Sequence, residues 1–285
     1  MESIADVMSR LNSTRMDLTS EICYEHETLV RGNPVRKEVR KILFDGELLC
    51  PMCENNKNTK QLENLETEKA LFATNRKNYM VLNNQSLVKD KTLLDASFKS
   101  FLAIGDEESE EHVNKERAKT AVKHYRSGKV FNTMLIGDPG VGKSHLAMSI
   151  IRNLNETDDK QRTCLFIDID EMFSRVRDSF SNRESKYTER YFIQLLSSVD
   201  YLVLDDLGAE TGSTDTDNGA SNYTIRILKS IGDSRQDKST IFTTNLSRAA
   251  LAKMYDAKTV SRLLRDTYLI KFENTTDKRI RNIEF

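Results

Sequence analysis

The chain has 285 residues, enough for one large or two modest domains, each able to bury a substantial core. Hydrophobic residues make up 38% and charged residues 31%, the balance of a water-soluble protein, and no apolar run reaches membrane-spanning length. The formal net charge of −1 excludes a globally basic polyanion binder, so any contact with nucleic acid must come from a local patch.

The opening Met1-Glu2-Ser3-Ile4 lacks the basic-then-apolar pattern of a secretion signal, which points to a cytoplasmic protein with no membrane partner. Residues 1–20 place Ile4, Val7, Met8 and Leu11 at amphipathic spacing and are expected to be helical. Cys23-x-x-His26 and Cys50-Pro51-Met52-Cys53 then form two close pairs of soft ligands. A two-residue spacer lets one tight turn present both members of a pair, and tetrahedral Zn²⁺ needs four N/S ligands. Cys23, His26, Cys50 and Cys53 are therefore the candidate zinc ligands. Four protein ligands leave no position open for water, so the role is structural. Residues 34–43, between the pairs, read as a short helix opening at Pro34. The expected zinc-binding domain, residues 1–60, is thus small and mainly helical.

Residues 55–60 are polar and loop-like, and residues 62–82 form a helix or helix pair, so residues 61–90 read as a helical connector. Residues 93–104 are apolar enough to dock on a domain, 106–111 are an acidic run expected to be a solvated turn, and 114–125 form a helix. From Val130 onward strands alternate with helices, as a parallel sheet requires. Strands are expected at 132–136, 163–168, 201–205, 239–243 and 268–272. Helices are expected at 144–154, 171–180, 189–197, 223–234 and 247–254. Cys164 falls inside a strand and reads as a buried core thiol.

Between the first strand and its helix lies Gly137-Asp138-Pro139-Gly140-Val141-Gly142-Lys143-Ser144, a G-x-x-x-x-G-K-[ST] phosphate loop. Its glycines let successive N–H groups turn inward on a polyanion, and the following helix adds its positive end. Lys143 is expected to reach the β- and γ-phosphates of a nucleotide, and the Ser144 hydroxyl to hold Mg²⁺. The strand Tyr201–Asp205 ends in two carboxylates. Asp205 is positioned to orient Mg²⁺, and Asp206 to polarise the attacking water. Asn245, ending the next strand, can hydrogen-bond the γ-phosphate or its water. Arg262 and Arg265, three apart on an expected helix, suit an arginine finger offered to a neighbouring subunit, although either could equally be a surface ion pair. Arg279 is a third candidate, reaching its own nucleotide.

Taken together these motifs resemble those of AAA+ ATPases, and their wording resembles the DnaC/DnaI family of replicative helicase loaders. The resemblance rests on residues 137–147 (which include His145), Leu202-Val203-Leu204-Asp205-Asp206-Leu207-Gly208-Ala209-Glu210, Thr243-Thr244-Asn245, Ser261-Arg262-Leu263 and Arg279. It implies an AAA+ ATPase domain over residues 91–285, a five-stranded parallel sheet flanked by helices, without a C-terminal helical lid. It implies ATP as the nucleotide and slow, assembly- or DNA-dependent hydrolysis. The implied partners are a hexameric replicative helicase gripped by the zinc-bearing N-terminal domain, further copies of the chain, and single-stranded DNA. The strand-binding region it implies is the helix at 171–180 with the loop at 211–222, where Phe180 could stack on a base with Arg175 and Arg177 nearby. An acidic loop from 208 to 222 reads as mobile. Transposition helper ATPases of the IstB type share nearly all of the core motifs and form the alternative; they act on duplex DNA and a transposase.

Overall fold

The computed structural model describes residues 17–30, 32–44, 46–157, 162–211 and 220–279; of the helix expected over residues 1–20 only 17–20 lie within them, and those are strand, while most of the loop at 208–222 lies outside. The chain divides into two compact units, residues 1–74 and 75–285.

The first unit contains an antiparallel sheet of β1 (Asp17–Val30), β2 (Asn33–Phe44) and β3 (Glu47–Leu49) in sequence order. Gly32, at φ 85°, turns β1 into β2, and Gly46, at φ 84°, turns β2 into β3. These are left-handed positions that cost glycine nothing. The helix expected at 34–43 is therefore a strand. Val35, Val39 and Ile42 satisfy a helical repeat, but they are β-branched and pair with β1 along its length. The helix that does form is α1 (Pro51–Gln85), which begins in this unit and continues into the second. It passes without interruption through residues 55–60, expected to be a loop.

In the second unit a five-stranded parallel sheet has the order β5-β6-β7-β4-β8, formed by β4 (Asn132–Ile136), β5 (Cys164–Asp168), β6 (Tyr201–Asp205), β7 (Ser239–Thr244) and β8 (Thr267–Lys271). Strands β5, β6 and β7 are buried throughout, as strands covered on both faces must be. Helices α2 (Glu110–Arg126) and α3 (Lys143–Thr157) cover one face, over a core built on Tyr125, Leu146, Ile150 and Phe166. Helices α4 (Ile169–Ser181), α5 (Glu189–Ser198), α6 (Asn222–Ser234), α7 (Arg248–Tyr255) and α8 (Ala257–Leu263) cover the other, over Phe173, Phe192, Leu228 and Phe242. Side-chain N-caps start the helices on that side: Asp168, Thr188, Ser221, Ser247 and Asp256 each accept the backbone N–H three residues on. Buried Cys164 packs in the core of the first face. Strand order decides the chemistry that follows. Because β7 lies between β4 and β6, the end of β7 falls between the phosphate loop and the paired carboxylates.

Candidate functional site

The loop after β4 closes over its own lysine. Lys143 is buried, and its Nζ donates to the carbonyls of Gly137 (2.8 Å) and Asp138 (2.7 Å) and to Asn245 Oδ1 (2.6 Å). Burial holds the ammonium below its ordinary pKa, against the attraction of Asp206 and Asp205. The loop also leaves no room for side chains. A Cβ on Gly137 would lie 2.6 Å from Phe272, and one on Gly142 2.7 Å from the Phe101 ring, and both glycines have positive φ.

Asp205 is almost fully buried, and that burial, reinforced by neighbouring Asp206, pushes its carboxyl up to about 7. Thr243 donates its hydroxyl to Asp205 Oδ1 (2.6 Å) and in turn accepts the backbone N–H of Asp206 (2.8 Å); Ser144 also bonds to the Asp205 carboxylate. A buried carboxylate beside a serine hydroxyl at the mouth of a phosphate loop is a donor set that fits Mg²⁺. Asp206 sits at φ 57°, a left-handed position that aspartate tolerates better than most residues and that ends the strand abruptly. Lys143, Ser144, Asp205, Asp206 and Asn245 line one cleft of about 740 Å³, together with Arg279. His145 Nε2 lies 3.1 Å from the Ser97 carbonyl, and burial holds its pKa below the ordinary value. The structure thus brings Lys143, Ser144, Asp205, Asp206, Asn245 and Arg279 together.

Arg262 is elsewhere. It lies in the last turn of α8 and clasps both oxygens of Asp233 on α6 at 2.7 Å. The helix stops at Leu263, so Arg265 lies in the following turn and the two arginines do not share a helical face. On α4, Arg175 pairs with Glu171 (2.8 Å) and lies over the Tyr187 ring, whereas Phe180 is exposed and meets the Tyr223 ring in a T-shaped contact.

In the first unit, Cys23 and His26 sit on β1, and Cys50 and Cys53 flank the start of α1. Residues three apart on a regular strand face opposite ways. Between Cys23 and His26, however, the register against β2 slips: Cys23 pairs with Val39 and His26 with Lys37. One extra residue on β1 makes a bulge that turns both ligands to the same side. Pro51 opens α1, and the Glu54 N–H bonds the Cys50 carbonyl, so Cys50 and Cys53 fall on one helical turn. The four ligand atoms all lie within 4.8 Å of one another. Zn–S bonds of about 2.3 Å and Zn–N of about 2.0 Å give tetrahedral edges of about 3.8 Å between sulfurs and about 3.5 Å between sulfur and nitrogen. The structure has 3.8 Å for Cys23–Cys53, 3.5 Å for Cys23–His26, 3.3 Å for His26–Cys53 and 3.1 Å for His26–Cys50. Among the described residues of this unit, the only buried side chains are Cys23, His26 and Cys50. A sheet whose whole core is a set of ligands fits a metal centre.

Residues 54–274 match the family model described as "IstB-like ATP binding protein". The chain belongs to this family. Curated relatives of this IstB-like chain include the replicative helicase loader DnaC of Escherichia coli (strain K12), 29% identical over 138 residues, or 48% of the chain and 51% of that protein. The DnaC loader of Buchnera aphidicola subsp. Schizaphis graminum is 28% identical over 158 residues, or 54% of the chain and 59% of that protein. The chain therefore spans little more than half the length of these relatives. A solved DnaC helicase loader, 22% identical, superposes with a TM-score of 0.50 over 64% of the chain and 99% of that structure, and shares the AAA+ fold.

Within this IstB-like cleft, sequence reasoning missed the wall opposite the phosphate loop. Lys89, Asp90, Thr92, Leu93 and Phe101 come from an irregular stretch around the 3₁₀ turn Lys91–Asp95, and Asp168 comes from the end of β5. The acidic run at 106–111 is also not all solvated. Its last two residues open α2, and Glu111 is buried. No described helix is long and apolar enough to cross a membrane.

Proposed function

We propose that the chain is an ATP-dependent cytoplasmic loader: it binds a hexameric replicative helicase through its N-terminal unit and deposits it on single-stranded DNA, with ATP hydrolysis driving release. The observation that supports this reading is the pairing of a cleft lined by the phosphate loop and two carboxylates with a module built on a cluster of three cysteines and a histidine, whose emerging helix is bare. Leu62, Leu65, Leu71 and Phe72 of α1 are all at least half exposed, apolar side chains in need of a partner surface. The likeness to DnaC loaders supports a helicase as that partner.

In this reading, Lys143 exchanges its bonds to the Gly137 and Asp138 carbonyls for the β- and γ-phosphates, while the loop N–H groups cradle the same anion. Ser144 and Asp205 hold Mg²⁺, which when bound offsets phosphate charge. Asp206 polarises the attacking water, and Asn245, already touching Lys143, orients it toward the γ-phosphate. Arg279 reads the phosphate of its own subunit. Arg262 releases Asp233 to reach a neighbour's nucleotide, which ties hydrolysis to self-association. Zn²⁺ held by Cys23, His26, Cys50 and Cys53 shapes the docking module. Exposed Phe180 and Arg177 serve the DNA strand; Arg175, engaged with Glu171 and Tyr187, contributes less.

Light scattering after size-exclusion chromatography of the chain mixed with its cognate helicase, with and without ATP, tests the proposal. Co-elution is expected, and Leu65→Glu with Phe72→Glu should abolish it. Absence of a complex under both conditions rejects the loader. The family match keeps a second reading, a transposition helper on duplex DNA, which retention of a transposase by the same protein would favour.

A further inference from the structure

The segment after β8 does not leave the phosphate loop; it crosses it and is tied down on both sides. Glu110 accepts the backbone N–H groups of Glu273 (2.7 Å) and Asn274 (3.0 Å) and the Thr275 hydroxyl (2.5 Å). Burial pushes the Glu110 carboxyl up, but the bonds from Thr275 and the backbone outweigh it and hold the group below its ordinary value. Glu111 accepts Lys278 Nζ (2.7 Å) and the Ile104 N–H (2.7 Å). Lys278 also donates to the Leu102 carbonyl and lies 4.4 Å over the Phe101 ring.

Each tie bears on the phosphate loop. The Lys278 N–H donates to the Gly140 carbonyl (3.1 Å), as one strand meets another. Asp277 packs so tightly on Gly140 that a Cβ there would fall 1.7 Å from its Oδ1, and the same carboxylate accepts the Arg279 N–H at 2.8 Å. Phe272 closes on Gly137, and Phe101, under Lys278, closes on Gly142. All three loop glycines are thus backed by the strap or by the ring its lysine covers.

We propose that residues 272–279 form a strap, fastened by Glu110 and the Glu111–Lys278 ion pair, that positions Arg279 at the nucleotide and so lets the cleft distinguish ATP from ADP. The proposal rests on the ATP-binding reading of the cleft. Glu110, Glu111 and Lys278 are positioning residues that act through Arg279. Sequence separation explains the design: α2 precedes the phosphate loop and the strap follows all five described strands of the parallel sheet, so the clamp forms only once that sheet is complete.

Fluorescent ATP and ADP analogues titrated into the full-length chain, with Mg²⁺ and with melting curves in parallel, provide the test. Loss of a charge-assisted contact to the γ-phosphate corresponds to about a tenfold loss of affinity or more. Glu110→Ala and Lys278→Met should lose about that factor for ATP and keep wild-type affinity for ADP, whereas Lys278→Arg should retain the preference. Arg279→Ala should show the same loss, and adding Lys278→Met to it should cost nothing further, since both act through one contact. Equal losses for ATP and ADP, additive losses in the double variant, or an unchanged ratio in both single variants overturns the strap. A wild-type chain that binds neither nucleotide overturns the ATP reading itself and the strap with it.

Discussion

With zinc held by Cys23, His26, Cys50 and Cys53, as proposed, removing it should unfold one unit and leave the other standing. Between residues 17 and 74 the described chain buries Cys23, His26 and Cys50 and nothing else, while Leu18, Leu29 and Tyr24 are each more than half exposed. Ordering a backbone costs about 1–2 kcal/mol per residue, and this sheet has no apolar core to offset it. Structural zinc contributes about 10–16 kcal/mol in small metal-dependent domains, enough to decide whether such a sheet exists. The cores of the second unit draw on no residue before Val81, so they do not feel the loss.

The assay is hydrogen exchange on protein stripped with a thiol-modifying agent and a chelator, with the released metal followed by a chromogenic dye. One zinc per chain should appear, the amides of β1 and β2 should lose protection, and those of β4, β6 and β7 should keep theirs. His26→Ala and Cys53→Ser should give the same pattern without chelator. If β1 and β2 stay protected in metal-free protein, or if the purified chain carries no metal, the argument from the empty core is wrong.

Other consequences concern the second unit. Lys143→Met should abolish ATP binding in a fluorescence titration, because it removes the ammonium that the loop holds at the phosphate position. Glu210 is half-buried, accepts the Tyr255 hydroxyl and the Gly208 N–H (3.1 Å), and is held above its ordinary pKa chiefly by desolvation. Its folded form therefore binds the proton more tightly than the unfolded chain does. The stability this confers is full at low pH and lost as pH rises through the raised value, so Glu210→Gln should flatten the melting profile on the alkaline side of the ordinary carboxylate range. Tyr255→Phe should instead cost about 1–3 kcal/mol in urea unfolding, by stranding that carboxyl. Arg235, buried, donates to the carbonyls of Leu196 (2.6 Å), Val199 (2.8 Å), Asp200 (3.2 Å) and Ser239 (2.7 Å). Arg235→Met should cost several kcal/mol, on the order of 1–3 for each carbonyl left dry, and a urea midpoint equal to wild type would refute that count.

Why some of this could be read from the chain and some could not follows from where each residue finds its partner. The five parallel strands are apolar runs edged by polar residues, and their limits in the structure lie within a residue of those expected from the sequence. The phosphate loop needs only its own glycines and the helix behind it, so its chemistry is written in eight adjacent residues. Strand β2 was illegible because both of its faces are largely exposed, which erases the alternation that marks a strand and leaves three β-branched residues at helical spacing. Helix α8 was legible only as the helical face expected to carry Arg262 and Arg265; its limits were not, because it is seven residues long, starts from Asp256 at φ 74° and stops at Leu263, before Arg265. The bulge between Cys23 and His26 exists only in the register of one strand against another. Glu110 shows the limit most clearly. In sequence it stands in an acidic run like any solvated turn, and its three donors lie 163 to 165 positions away. A carboxylate that takes two backbone N–H groups and a hydroxyl from the last strand's exit is specified by topology. Its meaning is available only after β8 has taken its place beside β4, on the edge where the phosphate loop begins.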